Sequence, residues 1–205
     1  VMNLSVSGFD RNDQAAASDI FEVARPGDLV LRDLGYYALT PFRRMTEKGI
    51  FFLSRYRYGT NLYDAKEQQP IDLARMLKKQ PTLDIDIVLG SQERLPVRLV
   101  AVPVPDAVAN SRRRKAREKA RRDKRLNPSR DAYFLMGWNI FITNVGRDVW
   151  TSEDLQPIYD LRWRIEIMFK AWKSHLKITE LNYSSEAMLR LSVMTKLLFC
   201  AITHN

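Results

Sequence analysis

The chain has 205 residues, a formal net charge of +9 and a hydrophobic fraction of 45%. This length and composition indicate a globular protein with one large domain, or a core with an inserted module, and they exclude a disordered chain. The single cysteine, Cys200, excludes an intrachain disulfide, and the presence of only two histidines argues against a histidine-rich metal site.

The first part of the chain predicts alternating strands and helices. Apolar and β-branched runs predict the strands, whereas capping residues and glycines mark the helix ends. In chain order we expect a strand at 2–8, a helix from Asp10 or Asn12 to the turn at 25–28, a strand at 28–33, a helix at 39–49 and a strand at 50–59. This order predicts a mixed or parallel sheet covered by helices.

The pattern then changes to alternation with a period of two residues. The next predicted elements are a short helix at 71–80, strands at 83–90 and 95–105 that form a hairpin, a basic helix at about 107–125, a strand at 133–145 and a long helix after a capping box at 151–154. The sequence therefore predicts three segments: 1–57 as the first part of a core, 58–146 as a β-rich insertion with a basic helix, and 147–205 as the second part of the core.

The positive charge is concentrated in one block. Residues 112–125 contain ten Lys or Arg and two acidic residues, a net charge of +8, so the remainder of the chain carries about +1. A local block of this kind is typical of a segment that faces a polyanion. The alternative is a solubilising helix on the protein surface.

The predicted helix that follows the capping box places four polar side chains on one stripe. At 100° per residue, Tyr159, Arg162, Glu166 and Lys173 project within a sector of about 60°. An apolar stripe runs beside them, and Trp163 and Trp172 are expected in the core. On geometry alone, the polar residues could equally be ordinary i, i+4 partners on a solvated helix face.

These residues resemble a known signature. The spacing Tyr159-x2-Arg162-x3-Glu166-x6-Lys173 matches the Tyr-Arg-Glu-Lys signature of the insertion-sequence-4 group of DDE transposases at every position. The segment "GDLVLRDLGYYALTPFRRMTEKGIFFLSRY" resembles the family's segment around its second catalytic aspartate, which would be Asp33. The resemblance covers essentially the whole chain.

The resemblance implies an α/β fold with a ribonuclease-H-like core, a mixed sheet with flanking helices, interrupted by a β-rich insertion. It also implies DNA strand cleavage and strand transfer at transposon ends, with Asp33 and Glu166 as catalytic residues. In the complete enzyme these carboxylates would be ligands of two Mg²⁺ or Mn²⁺ ions. Arg162, Lys173 and Tyr159 would contact DNA phosphates. On residue type alone, Asp33 could instead cap a turn after its strand.

One catalytic aspartate of the family has no counterpart in this sequence. The family places it on the first strand of the sheet, whereas we expect residue 1 to lie at the third strand and both ends of the sequence to lie in the interior of a longer chain. We therefore expect a fragment that is inactive alone, because two carboxylates hold two Mg²⁺ ions poorly.

The expected partner is double-stranded DNA, as transposon ends and target DNA. The full-length protein would form a homodimer in the synaptic complex, in the bacterial cytoplasm near the nucleoid, and no apolar run is long enough to predict a membrane span. Trp138 would stack on a flipped base, or else lie half-buried in a strand. The residues expected to bind phosphates from the basic helix are Arg112, Arg113, Arg114, Lys115, Arg117, Arg121 and Arg122.

Two other functions fit the same residues. A non-catalytic protein could bind nucleic acid through the basic helix alone, in which case Asp33 and Glu166 would lie far apart. A related metal-dependent nuclease could cleave DNA without strand transfer, and the sequence does not separate this reading from a transposase.

Overall fold

A computed structural model describes residues 15–124, 127–175 and 185–203. These residues divide into two compact units, and the boundary between the units falls between Tyr159 and Asp160. The predicted strand at 2–8 and the predicted helix start at Asp10 or Asn12 lie outside the described residues. The first described element is a 3₁₀ helix, Ala15–Glu22.

The first unit begins with a strand–helix–strand motif that the sequence predicts correctly. Strand β1 (Leu29–Arg32) and strand β2 (Phe51–Arg55) are parallel, and helix α1 (Leu39–Glu47) connects them. A parallel pair needs such a crossover because a tight turn cannot return the chain to the same end of the sheet. The helix ends before Gly49, whose positive φ of 66° suits glycine.

In the part of the chain that the structure describes, the remaining strands extend this pair into one mixed sheet of six strands. They are β3 (Leu62–Asp64), β4 (Leu83–Leu89), β5 (Leu95–Pro103) and β6 (Trp138–Thr143), and the spatial order is β1-β2-β6-β5-β4-β3. Every pairing other than β1 with β2 is antiparallel. A mixed sheet with flanking helices confirms the predicted fold class, which is consistent with a ribonuclease-H-like core.

Strand β6 joins the two halves of this sheet because it pairs with β2 on one side and with β5 on the other. The strands predicted for a β-rich insertion at 58–146 thus continue the sheet begun by β1 and β2. The division of the chain at 57 and 146 stays a prediction based on sequence.

Three further helices of the first unit are α2 (Leu73–Lys79), α3 (Asp106–Arg122) and α4 (Arg130–Leu135). Helix α4 corrects the expected strand at 133–145, whose first residues are helical. The hydroxyl of Ser129 accepts a hydrogen bond from the backbone N–H of Ala132 and so caps this helix, and β6 begins only after Gly137.

The core of the first unit covers both faces of the sheet. Along β2, Phe52 belongs to one buried apolar cluster and Leu53 to the other, because successive side chains of a strand point to opposite faces. The first cluster includes Phe42 of α1, and the second includes Leu155 and Tyr159. Burial on both sides explains the nearly continuous apolar runs in these strands.

Two long helices complete the described chain, α5 (Leu155–His175) and α6 (Glu186–Thr203). The first residues of α5, up to Tyr159, belong to the first unit, and the rest of α5 belongs to the second unit with α6. Among the described residues, no helix is both long enough and apolar enough to span a membrane.

Candidate functional site

Asp33 lies directly after β1 at the carboxyl edge of the parallel pair. It caps a short 3₁₀ helix, Leu34–Tyr36, and its Oδ1 accepts a hydrogen bond of 2.8 Å from the backbone N–H of Leu34. The side chain is exposed. Strand β2 ends at Arg55 on the same edge, which is where open α/β sheets usually bind ligands. Its capping role is therefore observed.

Arg32, the residue before Asp33, anchors the end of β1. Its side chain is 7% exposed, and its guanidinium donates a hydrogen bond of 2.7 Å to the backbone carbonyl of Ala17. Burial lowers the pKa of Arg32 below its usual value. The guanidinium also lies 5.2 Å from the ring centre of Tyr36. These contacts hold the backbone from which the Asp33 side chain projects.

Tyr159 occupies a different environment from the one the resemblance implies. Its side chain is 1% exposed, its ring lies 5.4 Å from that of Phe141, and its hydroxyl donates a hydrogen bond of 3.3 Å to the backbone carbonyl of Arg32. A phenol that is buried and bonded to the protein is poorly placed to reach a DNA phosphate. Tyr159 instead ties the start of α5 to the strand that carries Asp33.

The other three signature residues lie on the part of α5 that belongs to the second unit. Arg162 and Glu166 form an i, i+4 ion pair, with side chains that are 16% and 36% exposed, and Lys173 is exposed. The Arg162 guanidinium also lies 5.3 Å from the ring centre of Trp163. Arg162 is thus positioned against the Glu166 carboxylate.

The two tryptophans of this helix differ in burial. Trp172 is 4% exposed, as expected of a core residue, but Trp163 is 47% exposed, and its predicted place in the core is wrong. Trp163 lies beside the polar stripe of α5, where the aliphatic and guanidinium parts of Arg162 can cover its ring.

The donor chemistry of Asp33 and Glu166 suits magnesium, which prefers oxygen ligands. The donor number falls short, because the described ranges contain no group of three or more His, Cys, Asp or Glu side chains that could hold a metal ion. Asp33 belongs to the first unit and Glu166 to the second. Their roles as metal ligands and catalytic residues stay predictions.

A cleft of about 690 Å³ opens beside Asp33 in the first unit. Leu34 lines it at the end of β1, and Arg55 and Tyr56 line it at the end of β2. The aromatic residues Tyr58 and Trp138 form part of its wall. This volume lies in the range of about 300–1,000 Å³ that is typical of pockets for small ligands.

Trp138 is a fixed part of that wall. Its Nε1 donates a hydrogen bond of 2.7 Å to the backbone carbonyl of Pro81, and its ring lies 4.6 Å from that of Phe134. The side chain is partly buried and packs against the main apolar cluster. A half-buried tryptophan in a strand is thus the observed state, and stacking on a base stays a prediction.

The basic helix α3 presents two different faces. Arg112 donates hydrogen bonds to the backbone carbonyl of Trp138 and to Oδ1 of Asn139, and Arg113 donates to the backbone carbonyl of Tyr133. These two guanidiniums are therefore held in place by groups of the protein, and their expected role as phosphate ligands stays a prediction. Of the other expected ligands, the ones whose side chains are exposed are Arg114, Lys115, Arg117, Arg121 and Arg122.

A buried ion pair supports the segment that leads into α5. Arg98 of β5 is 4% exposed, and its guanidinium forms two hydrogen bonds of 2.8 and 2.7 Å to the carboxylate of Asp84. A third donor reaches the backbone carbonyl of Trp150 at 2.7 Å. Burial raises the pKa of Asp84, but the hydrogen bonds and charges of Arg98 and Arg147 outweigh it, so this pKa lies below its usual value.

The sequence reasoning missed both Arg55 and Arg98. The sequence does contain a signal for Arg98, because it is the only charged residue in the apolar run 95–102. An apolar run of this kind predicts a strand that is buried on both faces, where a charged side chain needs a partner from the protein. Arg55 ends an aromatic strand, where an arginine reads as an ordinary solvated residue.

Comparison with known proteins identifies similar sequences over almost the whole chain. Residues 1–203 match the family described as Transposase DDE domain. The chain is 29% identical over 216 aligned positions to the transposase for insertion sequence element IS231C of Bacillus thuringiensis subsp. berliner. This alignment covers 96% of this chain and 45% of that protein. The chain is 28% identical over 201 positions to the transposase for IS1151 of Clostridium perfringens, covering 88% of this chain and 42% of that protein.

A third relative has the same level of similarity. The chain is 29% identical over 191 positions to the transposase for IS231F of Bacillus thuringiensis subsp. israelensis, covering 84% of this chain and 40% of that protein. The chain thus spans less than half the length of the curated relatives it matches.

Proposed function

Because the chain belongs to the family of transposases with a DDE domain, we propose that it is part of the catalytic core of a bacterial insertion-sequence transposase. The reaction is cleavage of DNA strands at transposon ends and their transfer to target DNA. The observation that carries this proposal is the family match over residues 1–203, with Asp33 exposed at the carboxyl edge of β1. The spacing of the Tyr-Arg-Glu-Lys residues supports the insertion-sequence-4 group.

Asp33 and Glu166 are the residues that would hold Mg²⁺ or Mn²⁺. When bound, a pair of such ions activates the attacking hydroxyl or water and stabilises the leaving oxygen. The Asp33 side chain is exposed, and Glu166 is accompanied by the Arg162 guanidinium, which keeps the Glu166 charge compensated before a metal binds. A third carboxylate is needed to hold two ions well, so we propose that the 205-residue chain alone does not cleave DNA.

The cations of α5 would position the substrate. Arg162 offers a planar fork of N–H donors that fits a phosphate, and Lys173 offers a compact, exposed charge. For Tyr159 we propose a supporting role, because its buried hydroxyl already bonds to the carbonyl of Arg32 beside Asp33.

Double-stranded DNA is the proposed partner, both as transposon ends and as target. The exposed basic side chains of α3 would contact its phosphates without reading sequence. The relatives are bacterial and are named as transposases for insertion sequence elements, which supports DNA as the substrate and the nucleoid as the place of action. We propose that the full-length protein forms a homodimer when it synapses two ends.

Trp138 is the proposed stacking partner of an extruded base. It lines the cleft beside Asp33 and is held by Pro81 and Phe134, so a base would meet a rigid aromatic edge. If this role is right, Trp138→Ala in the full-length enzyme impairs a hairpin step more than first-strand nicking. Equal loss in both steps would count against it.

The decisive experiment measures cleavage of transposon-end DNA by the full-length transposase. We expect Asp33→Asn and Glu166→Gln each to lower the Mg²⁺-dependent cleavage rate by at least about a thousandfold, as for residues that act as one catalytic unit, while DNA affinity is retained. The matched controls are Asp106→Asn and Glu153→Gln, which alter exposed carboxylates elsewhere. Normal cleavage by either test variant, or cleavage by the 205-residue chain alone, would contradict the proposal.

A non-catalytic nucleic-acid-binding protein is the second candidate, and the exposed basic side chains of α3 favour it. It predicts that the wild-type protein does not cleave DNA and that the same two substitutions leave DNA binding unchanged, whereas loss of the α3 charges abolishes binding. A metal-dependent nuclease without strand transfer would instead cleave the DNA ends but form no joined product with target DNA.

A further inference from the structure

Gln156, in the first turn of helix α5, is joined to the sheet by a bridge between two side-chain amides. Its Oε1 accepts a hydrogen bond from Nδ2 of Asn139 on β6, and both side chains are partly buried. Asn139 lies two residues before Phe141, so both side chains point to the same face of the sheet. Leu155 packs against Phe141 on that face. The bridge therefore lies beside the apolar contact between the start of α5 and the sheet.

The orientation of this bridge is fixed because Arg112 meets its other end. Oδ1 of Asn139 accepts a hydrogen bond of 2.6 Å from the guanidinium of Arg112 on α3. An arginine can only donate, so the oxygen of the Asn139 amide must face Arg112 and its NH₂ group must face Gln156. A side chain at position 156 completes the bridge only if it offers an acceptor.

Two further contacts hold the same part of the chain. The hydroxyl of Tyr159, three residues after Gln156, donates a hydrogen bond to the backbone carbonyl of Arg32 at the end of β1. Ahead of the helix, the guanidinium of Arg98 on β5 donates to the carbonyl of Trp150. Apolar packing is non-directional, whereas hydrogen bonds are directional. These bonds therefore fix the rotation and tilt of the first turn, which packing alone leaves free.

Helix α5 amplifies a small change at this end. It is one helix from Leu155 to His175, and Glu166 follows Gln156 by ten residues. Ten residues extend roughly 15 Å along a helix axis, so a tilt of about 5° at the first turn displaces the backbone there by about 1.3 Å. A misplacement of about 1 Å can lower the rate of a reaction about a hundredfold.

We propose that Asn139 and Gln156 are positioning residues for DNA cleavage, because their amide bridge fixes the direction in which α5 carries Glu166. This inference rests on the proposed function, since it assumes that Glu166 is a catalytic residue. It assigns a role to two residues outside the four-residue signature. It also predicts that the bridge affects the rate of cleavage and not the affinity for DNA.

The test measures single-turnover cleavage of transposon-end DNA by the full-length transposase, with Mg²⁺ and saturating DNA, as a rate per folded molecule. Gln156→Leu removes the acceptor but keeps a side chain of similar size. We expect it to lower the cleavage rate about ten- to hundredfold and to leave the dissociation constant for DNA within about twofold of wild type. Gln156→Glu keeps an oxygen acceptor for Asn139, so its rate should stay within about threefold of wild type.

The matched control is Gln69→Leu, which makes the same change at an exposed glutamine between β3 and α2 and should cleave like wild type. Asn139→Ala breaks the bridge from the other side and covers the case in which Gln156→Leu does not fold. We expect the double variant Asn139→Ala/Gln156→Leu to be no slower than Asn139→Ala, because the two side chains act through each other.

A role in stability alone predicts a lower denaturation midpoint and an unchanged rate per folded molecule. That result for Gln156→Leu and Asn139→Ala, or a Gln156→Glu variant as slow as Gln156→Leu, would overturn the inference. If Glu166→Gln still abolishes cleavage in the same assay, the proposed function stands. A wild-type enzyme that does not cleave, or a Glu166→Gln variant that does, would overturn both.

Discussion

At the scale of single residues, the structure gives Tyr159 a role that its place in a signature motif does not reveal. The motif implies a phosphate ligand, but the phenol lies in the core between Phe141 and Arg55, and its hydroxyl bonds to the backbone beside Asp33. Sequence spacing predicts correctly that the four signature residues share one helix. It does not predict that the helix crosses from one compact unit to the other directly after Tyr159.

Replacing Tyr159 by Phe separates these two roles. The change removes only the hydroxyl, so we expect the free energy of unfolding to fall by about 1 kcal/mol, the usual net worth of one hydrogen bond. The affinity of the chain for double-stranded DNA should stay within twofold of wild type. Chemical denaturation measures the change in stability, and fluorescence anisotropy measures the DNA affinity. A large loss of DNA affinity with unchanged stability would show that the Tyr159 hydroxyl contacts a DNA phosphate, as the motif implies.

The residues that the sequence reasoning missed share a physical cause. An arginine in a strand has no pattern that distinguishes a solvated end from a buried anchor, because its surroundings come from distant parts of the chain. Arg98 is held by Asp84 on the neighbouring strand and by the carbonyl of Trp150, 52 residues further along the chain. Only the sheet pairing brings these groups together.

At the scale of elements, local patterns predict best where neighbours in the chain decide the structure. Strand β1, helix α1 and the β4–β5 hairpin follow from apolar alternation and from glycines at turns. The sequence pattern does not predict helix α4, because the aromatic residues of this segment favour a strand. In the structure the Ser129 cap and packing stabilise a helix instead. The short strand β3 was missed because three residues carry too little pattern.

The two faces of helix α3 predict different consequences of losing a charge. Lys115→Gln and Arg121→Gln remove exposed charges, so each should lower the slope of log DNA affinity against log salt by about one without changing stability. Arg113→Gln removes a guanidinium bonded to the carbonyl of Tyr133, so it should lower stability and leave that slope unchanged. Equal slopes for all three variants would contradict this division of the helix.

The Asp84–Arg98 pair predicts a pH dependence of stability. The pKa of Asp84 is lower in the folded chain than in the unfolded one, so the folded state binds fewer protons and the pair stabilises it above the unfolded pKa of about 3.9. This stabilisation is lost as the pH falls through the lower, folded pKa. Asp84→Asn should therefore cost about 2 kcal/mol at neutral pH and progressively less below about pH 4.

Denaturant unfolding as a function of pH measures this effect. The control is Asp86→Asn, because among the described residues the partner of Asp86 is the half-exposed Arg147, and the Asp86 side chain is 65% exposed. We expect this variant to cost less than about 1 kcal/mol at any pH. A cost for Asp84→Asn that does not change between neutral and acidic pH would show that the carboxylate charge is not what holds Arg98.

At the scale of the whole molecule, the fold class was predictable and the order of strands was not. Alternating strands and helices indicate an α/β protein, but the insertion of β6 between β2 and β5 depends on pairing between distant segments. Because of this pairing, the strands of the predicted core and of the predicted insertion belong to one sheet. The cleft, with Arg55 and Trp138 in its wall, therefore lies at the edge of the sheet where Asp33 lies.

We propose that Asp33 and Glu166 act as ligands of the same metal site. Mn²⁺ binding to the full-length transposase, followed by electron paramagnetic resonance, tests it most directly, with Asp106→Asn and Glu153→Gln as controls. We expect Asp33→Asn and Glu166→Gln each to weaken Mn²⁺ binding at least about tenfold, and the double variant to lose little more, because the two ligands act together. Unchanged Mn²⁺ affinity in both single variants would contradict it.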